Sequence, residues 1–308
     1  MDALSVGIVR RKVNFVLDAD ISNFFGELDQ SWLERFLEHR IADKRVLRLI
    51  QKWLRAGVIE DGEWSKTEDG TAQGASVSPL LSNVYLHYVF DLWADQWRRR
   101  HARGDVILTR FADDYVAGFE HREDAERFLA DLRERFAKFG LELHPEKTRL
   151  IEFGRYAAGN RARRGEPKPE TFVFLGLTHI CAKTRNWRFK LKRVTSKKKM
   201  RAKLISVKTE MRRRWHLSIP EQGCWLASVL TGHYRYYAVP DNIRALQAFR
   251  EAVIRLWLKA LRRRSQRSRM TWERMARIVD RWLPQPRIQH PWPTTRFDAK
   301  TQGRSPVR

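Results

Sequence analysis

Two adjacent carboxylates, Asp113 and Asp114, stand between the apolar runs Val106-Ile107-Leu108 and Tyr115-Val116-Ala117-Gly118-Phe119. The spacing predicts a β-hairpin with an acidic pair at its tip. Such a tip is unfavourable as structure alone, because each carboxylate raises the cost of ionising its neighbour and tight hairpins favour Asn-Gly or Asp-Gly. A divalent cation removes that cost. A further carboxylate, Asp20, follows the apolar strand pattern that begins at Val13 and precedes the aromatic pair Phe24-Phe25. Asp20, Asp113 and Asp114 together could hold two Mg²⁺ ions. Magnesium takes hard oxygen ligands, usually one or two carboxylates per ion, and leaves positions for phosphate and water. Two ions about 3.5–4 Å apart activate an attacking hydroxyl and stabilise a departing pyrophosphate, which is the chemistry of nucleotidyl transfer. Taken singly, either segment is explained about as well by solvated carboxylates at a strand end or a turn.

The order of the segments and the residues between them narrow the choice. Gly70-Thr71-Ala72-Gln73-Gly74-Ala75-Ser76-Val77-Ser78-Pro79-Leu80-Leu81-Ser82-Asn83 is a small-residue loop opening a helix, with Leu81, Val84, Tyr85, Tyr88, Val89 and Leu92 at helical spacing. Small residues let backbone approach a ligand closely. The series Asp20-Ile21-x-x-Phe24-Phe25, Thr71-Ala72-Gln73-Gly74, Ser78-Pro79-Leu80-Leu81-Ser82-Asn83 and Phe111-Ala112-Asp113-Asp114 resembles the reverse transcriptases encoded by group II introns, also called maturases. Gly140-Leu141-Glu142-Leu143-His144-Pro145-Glu146-Lys147-Thr148 is similar to the family's lysine-bearing motif, and Phe172-Val173-Phe174-Leu175-Gly176-Leu177 to its primer-grip hairpin. Gly232-His233-Tyr234-Arg235-Tyr236-Tyr237 resembles the family's Gly-Trp-x-x-Tyr-Tyr/Phe thumb signature, with His233 in place of Trp, and His290-Pro291-Trp292-Pro293 a short C-terminal one. The resemblance spans residues 13 to 293.

That resemblance implies an RNA-directed DNA polymerase using Mg²⁺, RNA template, primer DNA and deoxynucleoside triphosphates, and assisting intron RNA splicing. It assigns the metal to Asp20, Asp113, Asp114 and the Ile21 carbonyl, a place beneath the deoxyribose to Phe24 or Phe25, the nascent base pair to Gln73 and Gly74, and the triphosphate to Lys147. A solvated turn lysine is an equal reading of Lys147. Asp18 is left out of this set, being expected to alternate away from Asp20 only if the strand continues straight.

Charge locates the polyanion. Residues 1–180 hold 28 Lys+Arg against 29 Asp+Glu, whereas residues 181–308 hold 33 against 7. Essentially all of the net +25 therefore lies in the C-terminal part, where neutralised phosphates would release counterions. Against a disordered basic tail stand seven Trp at helical intervals with apolar residues, since disordered segments lack such side chains, and a folded basic domain is the better reading. Lys197, Lys198, Lys199, Arg212, Arg213, Arg214, Arg262, Arg263 and Arg264 are the candidate phosphate contacts. For Tyr234, Tyr236 and Tyr237, helix packing is at least as good a reading as base stacking.

The elements that must position these residues make an α+β polymerase palm, an antiparallel sheet backed by helices, over 1–180, and an all-α basic thumb or maturase domain over 181–308. Helical intervals appear at Trp32, Leu33, Phe36, Leu37 and at Leu47, Ile50, Trp53, Leu54, and again from Ala125 to Phe136 with Gly140 as the stop. Strands are expected at 141–143 and 149–153, an exposed loop over 156–169, and helices near 196–216, 221–238, 241–264 and 271–282. Only Cys181 and Cys224 occur, which excludes a disulfide framework or zinc site and fits a reducing compartment. With no secretory leader pattern and no membrane-length apolar run, the expected location is cytoplasmic.

Only 19 residues precede Asp20, so a fingers subdomain is expected to be missing, the chain being an N-terminally truncated family member without an endonuclease domain. Arg10, Arg11 and Lys12, another chain or a dimer partner are the candidates to replace the missing grip. The alternative reading is a maturase-like RNA-binding protein without polymerase activity. An RNA-templated RNA polymerase or a nucleotide cyclase is the other class, disfavoured by the aromatic pair after Asp20 and the basic thumb.

Overall fold

The computed structural model describes residues 2–55, 58–60, 63–65, 77–264 and 270–301; Gln73 and Gly74 lie outside these. In chain order the elements are α1 (Asp2–Arg10), β1 (Phe15–Ala19), α2 (Phe24–Glu27), α3 (Gln30–Glu38), α4 (Lys44–Arg55), β2 (Val58–Glu60), β3 (Glu63–Ser65), α5 (Ser78–Leu86), α6 (Leu92–His101), β4 (Val106–Phe111), β5 (Asp114–Phe119), α7 (Arg122–Ala137), β6 (Arg149–Glu152), α8 (Ala157–Arg163), β7 (Phe172–Phe174), β8 (Leu177–Lys183), β9 (Phe189–Thr195), α9 (Lys197–Arg213), α10 (Ile219–Tyr237), α11 (Ile243–Arg262), α12 (Trp272–Trp282) and α13 (Pro293–Thr301).

Strands β4, β5, β1 and β6 make one antiparallel sheet in that order. Successive strand residues point to opposite faces. Leu17, Ala19, Tyr115, Ala117 and Phe119 thus join Tyr85, Phe90, Trp97, Phe128 and Phe136 of α5–α7 in one core. Val16, Val116 and Ile151 face a second core with α1, Phe172, Phe174 and Leu191, roofed by the sheet β7-β8-β9. Gly154 sits where the chain after β6 crosses Val13: at φ 146° an added Cβ would lie 2.1 Å from the Val13 carbonyl oxygen, so only glycine fits.

The basic region is folded. Leu226, Leu230, Phe249, Val253, Trp257 and Met275 of α10–α12 form a third core, each large side chain contributing about 1.5–3 kcal/mol by burial. Trp257 donates its indole N–H to Gln222 Oε1 at 2.8 Å. Ser218 and Glu221 close a capping box at the start of α10, and Thr271 caps α12. The division expected at 180/181 falls within β8. Helix α13 returns to α1, where Arg10 pairs with Asp298 at 2.6 Å and Asp2 with Arg296.

Three expectations differ. Residues 141–143 form no strand but a single bridge, Ile21 to Leu143. Within the loop expected over 156–169, the alanine-rich stretch 157–163 winds into α8 and stops before Gly165 at φ 70°. Between α5 and α6 a π-helical turn, His87–Asp91, rotates the apolar stripe, so Leu81, Tyr85 and Val89 are buried but Leu92 is half exposed and Ala94 and Trp97 carry the core instead. No described helix is long and apolar enough to cross a membrane.

Candidate active site

The β1–β5 register sets Asp18 opposite Val116 and ends with Ala19 opposite Tyr115, so Asp20 follows the last paired residue of β1 and Asp114 precedes the first of β5, close enough that the charge of Asp20 acts on Asp114. Residues two apart in a strand share a face, so Asp18, expected to point away, lies on the same face as Asp20. The hairpin β4–β5 closes with Phe111 paired to Asp114, leaving Ala112 and Asp113 as its two-residue turn. Ala112 has φ 55°, a left-handed conformation costing an L-residue about 1–2 kcal/mol.

Arg110 holds that turn. Its Nη1 donates to the Ala112 carbonyl and to Asn83 Oδ1, both at 2.8 Å, while Nε and Nη2 grip Asp91 at 2.7 and 2.6 Å. The Ser-Pro-Leu-Leu-Ser-Asn segment therefore reaches the acidic tip through one guanidinium. Sequence reasoning missed Arg110 and Asp91, since no spacing rule links an arginine on a strand to an aspartate 19 residues earlier on a helix.

The carboxylates feel one another. Burial pushes the Asp114 carboxyl up to about 6, with repulsion from Asp18, Asp113 and Asp20 adding to it and the Leu175 N–H, donating at 3.5 Å, opposing it. Burial likewise raises Asp18, opposed by Arg149, whose Nη2 donates at 3.2 Å. Tyr115, buried beneath the tip with no partner for its hydroxyl, is held well above its ordinary value by burial and by the charges of Asp20 and Asp18. Lys147, expected at the triphosphate, pairs with Asp20 at 2.7 Å.

Among the described residues no three His, Cys, Asp or Glu side chains are grouped tightly enough to hold one ion as they stand. The donor chemistry nevertheless fits magnesium, which asks for only one or two carboxylate oxygens per ion, and a cation would relieve the repulsion that Asp18, Asp113 and Asp20 add to the burial of Asp114. Both bonds of the Ile21–Leu143 bridge are made by flanking residues, Ser22 N–H to Glu142 and His144 N–H to Asp20, so the Ile21 carbonyl takes part in neither. Phe24 is buried against Tyr85, which removes it as a nucleotide contact and makes it core; the Phe25 side chain lies outside what the structure describes.

The model of the family described as reverse transcriptase (RNA-dependent DNA polymerase) matches residues 7–179, more than half of the chain and the whole of this carboxylate sheet. The chain belongs to the reverse transcriptase family. Among curated relatives, the group II intron-encoded protein LtrA of Lactococcus lactis subsp. cremoris is 39% identical over 71 residues, 23% of this chain and 12% of that protein. Protein YkfC of Escherichia coli K12 is 31% identical over 129 residues, covering 33% of each. The chain thus spans a minor part of the length of these relatives. Among solved structures, apo telomerase from Candida tropicalis gives a TM-score of 0.47 at 12% identity, over 90% of this chain and 46% of that one.

In this reverse transcriptase family member, the β7–β8 turn joins palm and helices. Leu175 (φ 50°) and Gly176 (φ 74°) form a two-residue turn in left-handed conformation. Its Leu175 N–H reaches Asp114, and Tyr236 donates its hydroxyl to the Leu175 carbonyl at 3.0 Å. Tyr237 closes over Gly176, where a Cβ would lie 2.7 Å from its hydroxyl. Tyr234 instead is core, and His233 stacks on Phe249 with ring centroids 3.9 Å apart.

The nine candidate phosphate contacts divide by environment. Lys197, Lys198 and Lys199 are exposed in the first turn of α9, where the helix dipole disfavours cations. Arg212 and Arg263 line a cavity of about 420 Å³ with Trp215. Arg213 is exposed but lies 3.7 Å from Glu210. Arg214 is tied to Glu210 at 2.8 Å and stacks over Trp225; Arg262 donates to the Met270 carbonyl and Arg264 to that of Leu217.

Proposed function

We propose that this chain is an RNA-directed DNA polymerase of the group II intron type that also binds intron RNA and assists its splicing. The observation that carries the reading is the β1–β5 register, which ends at Ala19 and Tyr115 and so leaves Asp20 and Asp114 at the same end of the two strands, with Asp113 at the hairpin tip. Asp20, Asp113, Asp114 and the Ile21 carbonyl would hold magnesium, which would supply Lewis acidity to a primer 3′-hydroxyl and to the leaving pyrophosphate. Arg110 fixes the tip, so the carboxylates are aimed before substrate arrives. Lys147 brings a positive charge to 2.7 Å from Asp20, beside the place of a bound triphosphate. With Phe24 in the core, the position beneath the deoxyribose falls to Phe25. Gln73 and Gly74 keep the nascent base pair as their proposed contact.

The helices α9–α12 carry the RNA. Three lysines at a helix start weaken the helix, and their exposure favours a phosphate ligand over a structural role. A second reading, an RNA-binding maturase without polymerase activity, is favoured by the Lys147–Asp20 pair, which occupies a carboxylate that a metal would need.

Primer extension on an RNA template with magnesium decides between them. The parent protein should incorporate deoxynucleotides in preference to ribonucleotides, and Asp113→Asn should abolish incorporation while leaving RNA affinity unchanged. Incorporation by the variant at the parent rate, or equal use of ribonucleotides, contradicts the reading.

A further inference from the structure

The hairpin β8–β9 ends far from the carboxylates in a second surface rich in aromatic and basic side chains. From Leu177 beside the active-site turn to Lys183, β8 covers about 20 Å at roughly 3.3 Å per residue. At that end lies a cavity of about 880 Å³, lined by Tyr156, Trp187, Arg155, Lys168, Lys183 and Arg188 among others. Among the described residues lining it there is no Asp or Glu.

Trp187 is 79% exposed, the most exposed large apolar side chain among the described residues, and Tyr156 is 58% exposed. The Trp187 backbone is left-handed at φ 59°, in a turn closed by its N–H to the Thr184 carbonyl at 3.1 Å. Glycine or asparagine would satisfy that turn without the cost a tryptophan incurs. The ring is therefore neither buried for packing nor favoured by its backbone. Lys183 Nζ lies 4.9 Å from the Trp187 ring centroid, which places a cation against one face.

We propose that this cavity binds an unpaired nucleic-acid strand, with bases stacking on Trp187 and Tyr156 and phosphates held by Arg155, Lys168, Lys183 and Arg188. Aromatic faces accept any base, and a duplex hides the base faces that they require. The cationic lining with no acidic group selects a polyanion over a protein partner. Recognition through base faces and phosphates reads no 2′-hydroxyl, so RNA and DNA strands should bind alike. The site is independent of the polymerase reading, since none of its residues belongs to the carboxylate cluster.

The test uses the full chain, a fluorescent oligouridylate of about eight nucleotides, its deoxy counterpart and a blunt duplex as competitor. Trp187→Ala and Tyr156→Ala should each weaken single-strand binding on the order of 10-fold, as expected for one lost stacked base. Trp187→Gly should bind as weakly as Trp187→Ala yet melt at or above the parent temperature, because glycine suits the left-handed turn. Photocrosslinking of 5-iodouridine oligomers should label the peptides carrying Trp187 and Tyr156. Crosslinks confined to α9–α12 with unchanged affinity in both alanine variants would overturn the site. A tenfold preference for either sugar, or equal competition by the duplex, would overturn the mode of recognition.

Discussion

Replacing Arg110 separates the support of the acidic tip from the carboxylates themselves. The guanidinium makes two charged hydrogen bonds to Asp91 and one each to Asn83 and the Ala112 carbonyl. Fully buried pairs of this kind cost about 3–5 kcal/mol to break from one side, mostly because the partner is left charged and unpaired. Here the Arg110 side chain is 14% exposed and that of Asp91 34% exposed, so water takes up part of the loss. Arg110→Ala should therefore destabilise the fold by roughly 2 kcal/mol, after discounting for that solvation. The effect on catalysis should be larger. Without the bond to its carbonyl, Ala112 can leave its left-handed conformation, and a shift of about 1 Å at Asp113 costs on the order of 10²-fold in rate. Urea unfolding gives the first quantity and primer extension the second. Adding Asp91→Ala to Arg110→Ala should recover much of the stability, by removing the orphaned carboxylate, without recovering the rate. Recovery of both together, or a parent rate in Arg110→Ala, would refute the claim that Arg110 aims the tip.

Asp114 binds its proton more tightly folded than unfolded, its carboxyl lying at about 6 against an ordinary 3.8, so its contribution to stability is full below pH 4 and is lost as pH rises through 6. Asp114→Asn should raise stability at pH 7 by about 1–2 kcal/mol, allowing for screening of a half-buried group, and flatten the pH 4–6 dependence seen in thermal melts. Replacing Lys197, Lys198 and Lys199 together with Ala should leave the melting temperature unchanged or raised, and reduce the salt dependence of single-stranded RNA binding by about 0.7 unit of slope per lost contact. Tyr236→Phe should cost about 1 kcal/mol in urea unfolding, through the Leu175 carbonyl it leaves unpaired, with the Asp114–Leu175 contact weakened in turn.

Much of the fold could be read along the chain because its signals are local. The β4–β5 hairpin, the stripe of α7 and the tryptophan-bearing helices α10–α12 follow from period and punctuation alone. The expected α+β class, antiparallel sheet with helices behind it, is what the chain adopts. Asp18 lies on the face of Asp20 by the two-residue period of the strand itself, a local signal that the expectation set aside. Arg110 and Asp91 gave no signal because their pairing joins a strand to the helical turn before it, which no periodicity announces. Leu92 fell off the buried stripe because one π-helical turn shifts the phase of everything after it, and no residue type announces such a turn. Helix α8 hid among Gly, Arg and Pro because its alanines were outnumbered by residues that usually mark loops. The roles expected of Arg262 and Arg264 meet a similar limit: a run of three arginines looks like a phosphate contact, while in the fold two of the three cap carbonyls of neighbouring segments.

Manganese binding, followed by the loss of free Mn²⁺ signal in electron paramagnetic resonance and by competition with magnesium, tests most directly whether the register-built carboxylates form a cation site. The parent chain should bind Mn²⁺ saturably and release it to Mg²⁺, and both Asp114→Asn and Asp20→Asn should abolish that binding while remaining folded. Equal Mn²⁺ uptake by the parent and by either folded variant would contradict the assignment of Asp20, Asp113 and Asp114 to the metal.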